Sequence, residues 1–246
     1  MASDYLEFSA DNKEEVTVSL SRIVFIECPL CHKEVELKMW SSINTLENPE
    51  YKDAVRDMSA FEFICPECGE KYYLDYGFLY HQMEDKIMIQ YIMTEEDEDS
   101  EEIDSFYDED DEGEISDFEK VLVNRGYLYR VVFSQAELLE KLLIFDSGLD
   151  DRIIEFFKAI AFAQYLKNHP GTIKNVRLLY NYEDGKHFAE IFSGTSKVGV
   201  VDLPMAYYEK LKEKYSPYLT DIRKDEPFID MDWALHTLIN LGIKTV

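Results

Sequence analysis

Two short strings constrain this chain more than anything else in it: Cys28-Pro29-Leu30-Cys31-His32 and Cys65-Pro66-Glu67-Cys68-Gly69. They contain all four cysteines. A C-x-x-C turn places two sulfurs on one side of a metal, and two such turns supply the four soft ligands that zinc takes at about 2.3 Å. Proline after the first cysteine restricts the turn backbone. Gly69 admits a positive φ, which lets backbone N–H groups point at the sulfurs. Four protein ligands leave no position for water. The expectation is one structural Zn2+ held by Cys28, Cys31, Cys65 and Cys68.

Other chemistries use the same residues. A thioredoxin-type redox pair calls for one motif on a βαβ unit, and here there are two matching motifs. Cys28 to His32 also reads as the haem-attachment string C-x-x-C-H, which would leave the second pair unexplained. Four thiolates can also hold an iron–sulfur cluster. Zinc accounts for both pairs best, with His32 beside the site and not on it.

The N-terminus, Met1-Ala2-Ser3-Asp4-Tyr5-Leu6-Glu7, lacks a basic region followed by an apolar run. No stretch approaches the roughly 18–20 continuous apolar residues of a membrane helix. A cytoplasmic location is expected, where thiols stay reduced. The net charge is −26. Sixteen of the 51 acidic residues fall between Glu95 and Glu119, which contains no Lys or Arg. Such a field repels phosphate backbones and attracts basic partners.

The acidic run also divides the chain. Before it, alternating residues predict strands over 14–27 and 33–40, with Phe61–Ile64, Lys71–Phe78 and Ile87–Met93 following and a short helix starting at Asn48-Pro49-Glu50. After it, Tyr127–Phe133 reads as a strand. Ser134-Gln135-Ala136-Glu137 fits a capping box opening a helix, and Asp150 caps a longer one. Val176–Tyr182 and His187–Phe192 form a hairpin around Glu183-Asp184-Gly185. Lys197–Asp202 adds a strand, and helices follow from about 204 to 215 and 232 to 241. The expected class is α+β. It comprises a zinc-ribbon-like antiparallel β module over 14–93, an acidic linker or insert over 94–119, and a C-terminal domain over 120–246 with helices on a small antiparallel sheet.

Beyond the cysteines, several strings resemble the CpXC domain family, named for its paired C-P-x-C motifs. They are Cys28-Pro29-Leu30-Cys31, Trp40-Ser41-Ser42-Ile43-Asn44 with Asn48-Pro49-Glu50, Phe63-Ile64-Cys65-Pro66-Glu67-Cys68-Gly69, and Leu79-Tyr80-His81 with Lys86-Ile87-Met88. Arg130-Val131-Val132, Glu137 to Leu142, and Gly148 to Arg152 resemble the downstream part of such proteins. The likeness is closest over 20–93 and looser over 127–160. It implies zinc binding and a bacterial or archaeal source, and it implies no activity. The family pattern often carries an acid after Tyr-His, where this chain has Gln82.

Other residues invite a chemical reading. Tyr80 and His81 follow a strand and are expected to support the fold. His169, His187 and His236 are scattered, without a nucleophile beside them. No G-x-S-x-G, phosphate-binding glycine loop or H-E-x-x-H string is present. Asp108 to Glu119 matches an EF-hand calcium loop in form, with Asp108, Asp110, Glu112 and Glu119 at ligand positions and Gly113 at the turn. Glu112 departs from the usual Asp, Asn or Ser, and no partner hand is seen. A solvated acidic segment is the simpler reading. Asp150-Asp151-Arg152 is what the dipole at a helix start favours.

The leading expectation is a non-enzymatic scaffold or protein-interaction module shaped by its zinc, with a basic protein as partner and neither nucleic acid nor membrane. An enzyme with a site between the halves, using His81 and Asp150-Asp151-Arg152, is the alternative. A calcium-responsive protein acting through 108–119 is the second.

Overall fold

The computed structural model describes residues 18–93, 117–168, 176–224 and 226–242. The described chain forms two compact units that divide between Tyr129 and Arg130.

In the first unit, β1 (Leu20–Glu27) and β2 (Glu34–Asn44) form an antiparallel hairpin. A short helix α1 (Glu50–Arg56) follows, with Pro49 at its N-cap. The brief strands β3 (Glu62–Ile64) and β4 (Lys71–Tyr73) form a second hairpin. Then come β5 (Phe78–Gln82) and β6 (Ile87–Tyr91), helix α2 (Asp117–Asn124) and strand β7 (Leu128–Val132), whose last three residues belong to the second unit. Five strands share one sheet in the order β1-β2-β5-β6-β7.

This sheet differs from the antiparallel module expected from sequence. Ser42, Ile43 and Asn44 of β2 run parallel to Leu79, Tyr80 and His81 of β5, so the sheet is mixed. The predicted fourth strand, 71–78, is also two elements. After Tyr73 the chain leaves the small hairpin, and Leu74 N–H donates to Phe61 O at 2.8 Å. It joins the large sheet at Phe78 through Gly77, where a Cβ would come within 2.9 Å of Tyr91 O. Only glycine permits that approach. Rings of Phe61, Tyr76, Phe78 and Tyr91 then pack in succession with centroids 5.5–6.4 Å apart. Leu122 of α2 packs with Met88 and Tyr127.

The second unit contains α3 (Gln135–Asp146) and α4 (Asp151–Asn168), then an antiparallel sheet in the order β10-β9-β8. Its strands are β8 (Val176–Glu183), β9 (Lys186–Ser193) and β10 (Ser196–Asp202). Two helices end it, α5 (Met205–Tyr215) and α6 (Met231–Asn240). Ser134 caps α3 by accepting from Glu137 N–H at 3.2 Å, and the Glu137 carboxylate reaches back to Phe133 N–H at 2.8 Å. Asp184 and Gly185 both take positive φ and close the β8–β9 hairpin. That is the twist a two-residue turn between strands requires.

Helix α4 is the axis of this unit. Residues 151–159 are all buried, so its first half is covered all round and not on one face. Ile153, Phe156 and Phe157 belong to one core with Leu178, Tyr180 and Ile191 of the sheet and Tyr208 and Leu238 of the later helices. Among the described residues no helix is long and apolar enough to cross a membrane.

Candidate metal centre

The two hairpins of the first unit end in matching knuckles. The β1–β2 loop covers residues 28–33 and the β3–β4 loop 65–70, six residues each, reading C-P-x-C-x-x. In the first, Cys28 N–H donates to Lys33 O and His32 N–H to Cys28 O, both at 2.9 Å. In the second, Cys65 N–H donates to Glu70 O and Gly69 N–H to Cys65 O, again both at 2.9 Å. One turn has been used twice.

The residue after the second cysteine is left-handed in each knuckle, with φ of 57° at His32 and 75° at Gly69. That torsion turns the next N–H onto a sulfur, so Lys33 N–H faces Cys31 Sγ and Glu70 N–H faces Cys68 Sγ. Gly69 adopts the torsion freely. His32 does so against the steric preference of an L-residue. Its ring lies exposed against Glu27, with Nδ1 2.9 Å from Oε1, and is not among the clustered ligand atoms.

The knuckles meet crosswise. Cys28 Sγ lies 3.7 Å from Cys68 Sγ, and Cys31 Sγ lies 3.8 Å from Cys65 Sγ. All four sulfurs fall within 4.8 Å of one another. A tetrahedron with metal–sulfur distances of about 2.3 Å has edges of about 3.8 Å, so this set fits a thiolate-bound metal. The spacing is also far beyond the roughly 2.05 Å of a disulfide. The first cysteine of each pair is buried, whereas Cys31 is half-buried and Cys68 exposed.

A small apolar cluster carries the site. Cys28 and Cys65 pack with Val35, Leu37 and Phe63, and Tyr72 borders them. The Tyr72 hydroxyl is 3.6 Å from Cys28 Sγ. Lys33 of the first knuckle pairs with Glu67 of the second. Electrostatics separate the four thiols. N–H groups of Cys31 and Leu30 and the Tyr72 hydroxyl hold Cys28 down at about 6, against the effect of burial. Glu70 N–H favours a Cys68 thiolate, but partial loss of water around the sulfur and the neighbouring Cys65, Cys28 and Cys31 push that thiol up to about 12. One thiolate is stabilised and a second beside it is not. Four together need a cation among them.

The other predicted residues are placed differently. His81 is buried in β5, its Nε2 2.9 Å from the Tyr127 hydroxyl. Tyr80 donates to Gln82 Oε1 at 2.8 Å, and Arg56 reaches both side chains at 2.9 Å. Gln82 therefore sits where an acid would meet Arg56. His81 belongs to the first unit and Asp150-Asp151-Arg152 to the second. Asp150 pairs with Arg152 at 2.8 Å. His187 meets the Tyr180 hydroxyl at 2.6 Å, and His236 is exposed. His169 and the calcium-type positions Asp108, Asp110 and Glu112 lie outside the described residues. Glu119 falls within α2, its side chain also outside them.

Asp151 leads to a feature that motif reading passed over. Arg130 grips it through Nε at 2.7 Å and an η-nitrogen at 3.0 Å. Lys141 is 3.3 Å from Asp151 and 3.2 Å from Glu155, and Lys158 is 2.9 Å from both Glu155 and Glu140. Six buried side chains thus alternate in sign as Arg130-Asp151-Lys141-Glu155-Lys158-Glu140. The signal in the sequence is spacing: 151, 155 and 158 form a stripe along one face of α4.

Paired C-P-x-C knuckles that bring four thiols to metal-binding spacing at the tips of two hairpins define a class of small domain. The chain belongs to the CpXC family: the family model described as CpXC protein matches residues 26–158, more than half its length. The match begins just before Cys28 and ends at Lys158, so it takes in both knuckles and the whole charged chain. Comparisons with curated proteins and with solved structures gave no match.

Proposed function

We propose that the protein is a non-enzymatic scaffold or interaction module whose first unit is organised by one structural Zn2+ at Cys28, Cys31, Cys65 and Cys68. The observation that carries this reading is the closed donor set. Four sulfurs at tetrahedral spacing fill the coordination of zinc, so no position remains for a substrate or an activated water. The hairpin β3–β4 has only three residues in each strand, too few to be stable alone, and the metal ties it to β1–β2. The metal-bearing region also displays large apolar side chains that a folded monomer has no need to expose. Phe25 is 65% exposed, Leu30 59%, Ile64 57% and Tyr73 60%. Exposed apolar groups of this size suit a protein partner. The strongly acidic composition favours a partner with basic residues at the rim.

X-ray absorption at the zinc edge tests the reading. The expected first shell is four sulfurs at about 2.3 Å and no lighter atom. A shell with an oxygen scatterer that exchanges with solvent would point to a catalytic metal and rule out the non-enzymatic reading.

A further inference from the structure

Strand β1 is an edge of the five-stranded sheet, and among the described residues it pairs only with β2. Cys28 N–H donates to Lys33 O, which fixes the phase of the ladder. Bonded and open positions alternate in an antiparallel pair, so Arg22, Val24 and Ile26 turn their backbone groups toward β2. Ser21, Ile23, Phe25 and Glu27 turn theirs outward. Proteins blunt such an edge with a lysine, a proline, a bulge or a short strand. Edge strand β10 has two of these devices, Lys197 and a register shift between Lys197 and Gly199. From Ser21 to Glu27, β1 has neither Lys nor Pro, and its register shift lies at its start, between Leu20 and Ser21. It is also eight residues long, where five or six is usual.

The four outward-turned residues share one face of the strand, on which Ile23 and Phe25 are each more than half exposed. Opposite them on β2 stand Lys38 and Glu36, and Glu34 stands opposite Glu27, all exposed. Lys38 is turned over the Trp40 ring, 3.9 Å from its centroid. Among the described residues Glu34 and Glu36 form no hydrogen bond or ion pair, and Glu27 meets the exposed His32 ring. Three carboxylates therefore border the apolar pair, two of them without a partner. A strand laid along this edge would gain backbone bonds, apolar contacts at alternate residues and acceptors for basic side chains. A second copy fits poorly, since it would bring a net charge of −26 against its like.

We propose that β1 is a docking edge for an extended segment of another protein, which joins the sheet as a sixth strand. That segment carries apolar side chains two residues apart, over Ile23 and Phe25, with Lys or Arg beside them. The proposal rests on the reading of the first unit as an interaction module and specifies how its partner is held.

Fluorescence anisotropy on the full chain tests it, in about 0.15 M salt, with labelled acetyl-KTVTVTK-amide as probe. Laid antiparallel against β1, this peptide sets its valines beside Phe25 and Ile23 and a lysine beside Glu27. One control is the same peptide with both valines N-methylated, which keeps charge and side chains but loses the donors that face the edge. The other is acetyl-ETVTVTE-amide. The probe should saturate one site, and both controls should bind at least tenfold more weakly. Phe25→Ala should weaken the probe roughly tenfold through lost apolar contact. Ile23→Pro removes an outward N–H, a change that edge strands tolerate, and should abolish binding. Circular dichroism checks that the variants fold, and Phe25→Ala carries the test if Ile23→Pro does not. No binding of the probe, equal binding of the N-methylated peptide, or full retention in Phe25→Ala would each overturn the proposal. So would sedimentation of the free chain as a dimer that Phe25→Ala dissociates. None of these results alters the sulfur shell read by X-ray absorption, so they leave the reading of the metal centre to its own test.

Discussion

His32 and Gly69 hold equivalent places in the two knuckles, yet only one is glycine. At Gly69 a Cβ would meet nothing within 4 Å, so substitution there tests the backbone alone. Gly69→Ala should cost about 1–2 kcal/mol, the penalty of the left-handed region, with no loss of packing. His32→Gly should raise stability. Thermal denaturation of the metal-loaded protein measures both, and a His32→Gly variant less stable than wild type would show that the ring contributes more than its torsion costs. Tyr72 is a second test. Its hydroxyl supports Cys28 from outside the ligand set. Tyr72→Phe should leave the fold and weaken metal retention about tenfold in competition with a chelator. Gly69 was readable from the sequence because glycine announces positive φ. His32 was not, because its torsion follows from the knuckle it completes, and Tyr72 becomes a neighbour of Cys28 only once β4 pairs with β3.

At the scale of elements, the charged stripe of α4 has the largest consequences. Burial alone would raise the Asp151 carboxyl, but Arg130 and Lys141 outweigh it and hold that group well below the usual carboxylate range. A depressed folded-state value contributes stability above the unfolded value, near 3.8 here, and loses it as pH falls below. The second unit should therefore hold its melting temperature through neutral pH and lose it on acidification below about pH 4. Asp151→Asn should remove that dependence and cost about 3–5 kcal/mol by leaving Arg130 buried without its partner. Denaturant titration at pH 7 and pH 3 separates the two effects, and an unchanged pH profile in the variant would refute this assignment. Helix α4 itself was legible from its cap and apolar periodicity. Its burial on all sides was not, since the core that covers it draws on the sheet, α5 and α6, which all follow it in the chain. Local alternation likewise located β1 and β2, and the apolar run over 87–93 located β6, but β5 shares only Phe78 with the predicted strand over 71–78, and its parallel pairing with β2 depends on a crossover that carries no local pattern. That is why a mixed sheet stands where an antiparallel one was expected.

At the scale of the whole molecule, the four clustered cysteines belong to one unit. The knuckles and the two hairpins they close lie before Tyr129, and the core around α4 lies after it. Removing the metal should unfold the first unit and leave the second folded. Acidification should also release metal as the thiolates protonate. The pairing of motifs was enough to read from the sequence which side chains cluster, since all four cysteines fall in two C-P-x-C strings. That the two knuckles are loops of equal length with matching hydrogen bonds needed the strand register. Metal content, measured by mass spectrometry on purified protein with thiols kept reduced, decides whether zinc organises the first unit. One zinc per chain is expected in the wild type, and in Cys65→Ser loss of that zinc together with the folded first unit. A wild-type chain that folds its first unit without bound metal, or one that carries iron in place of zinc, would contradict that assignment.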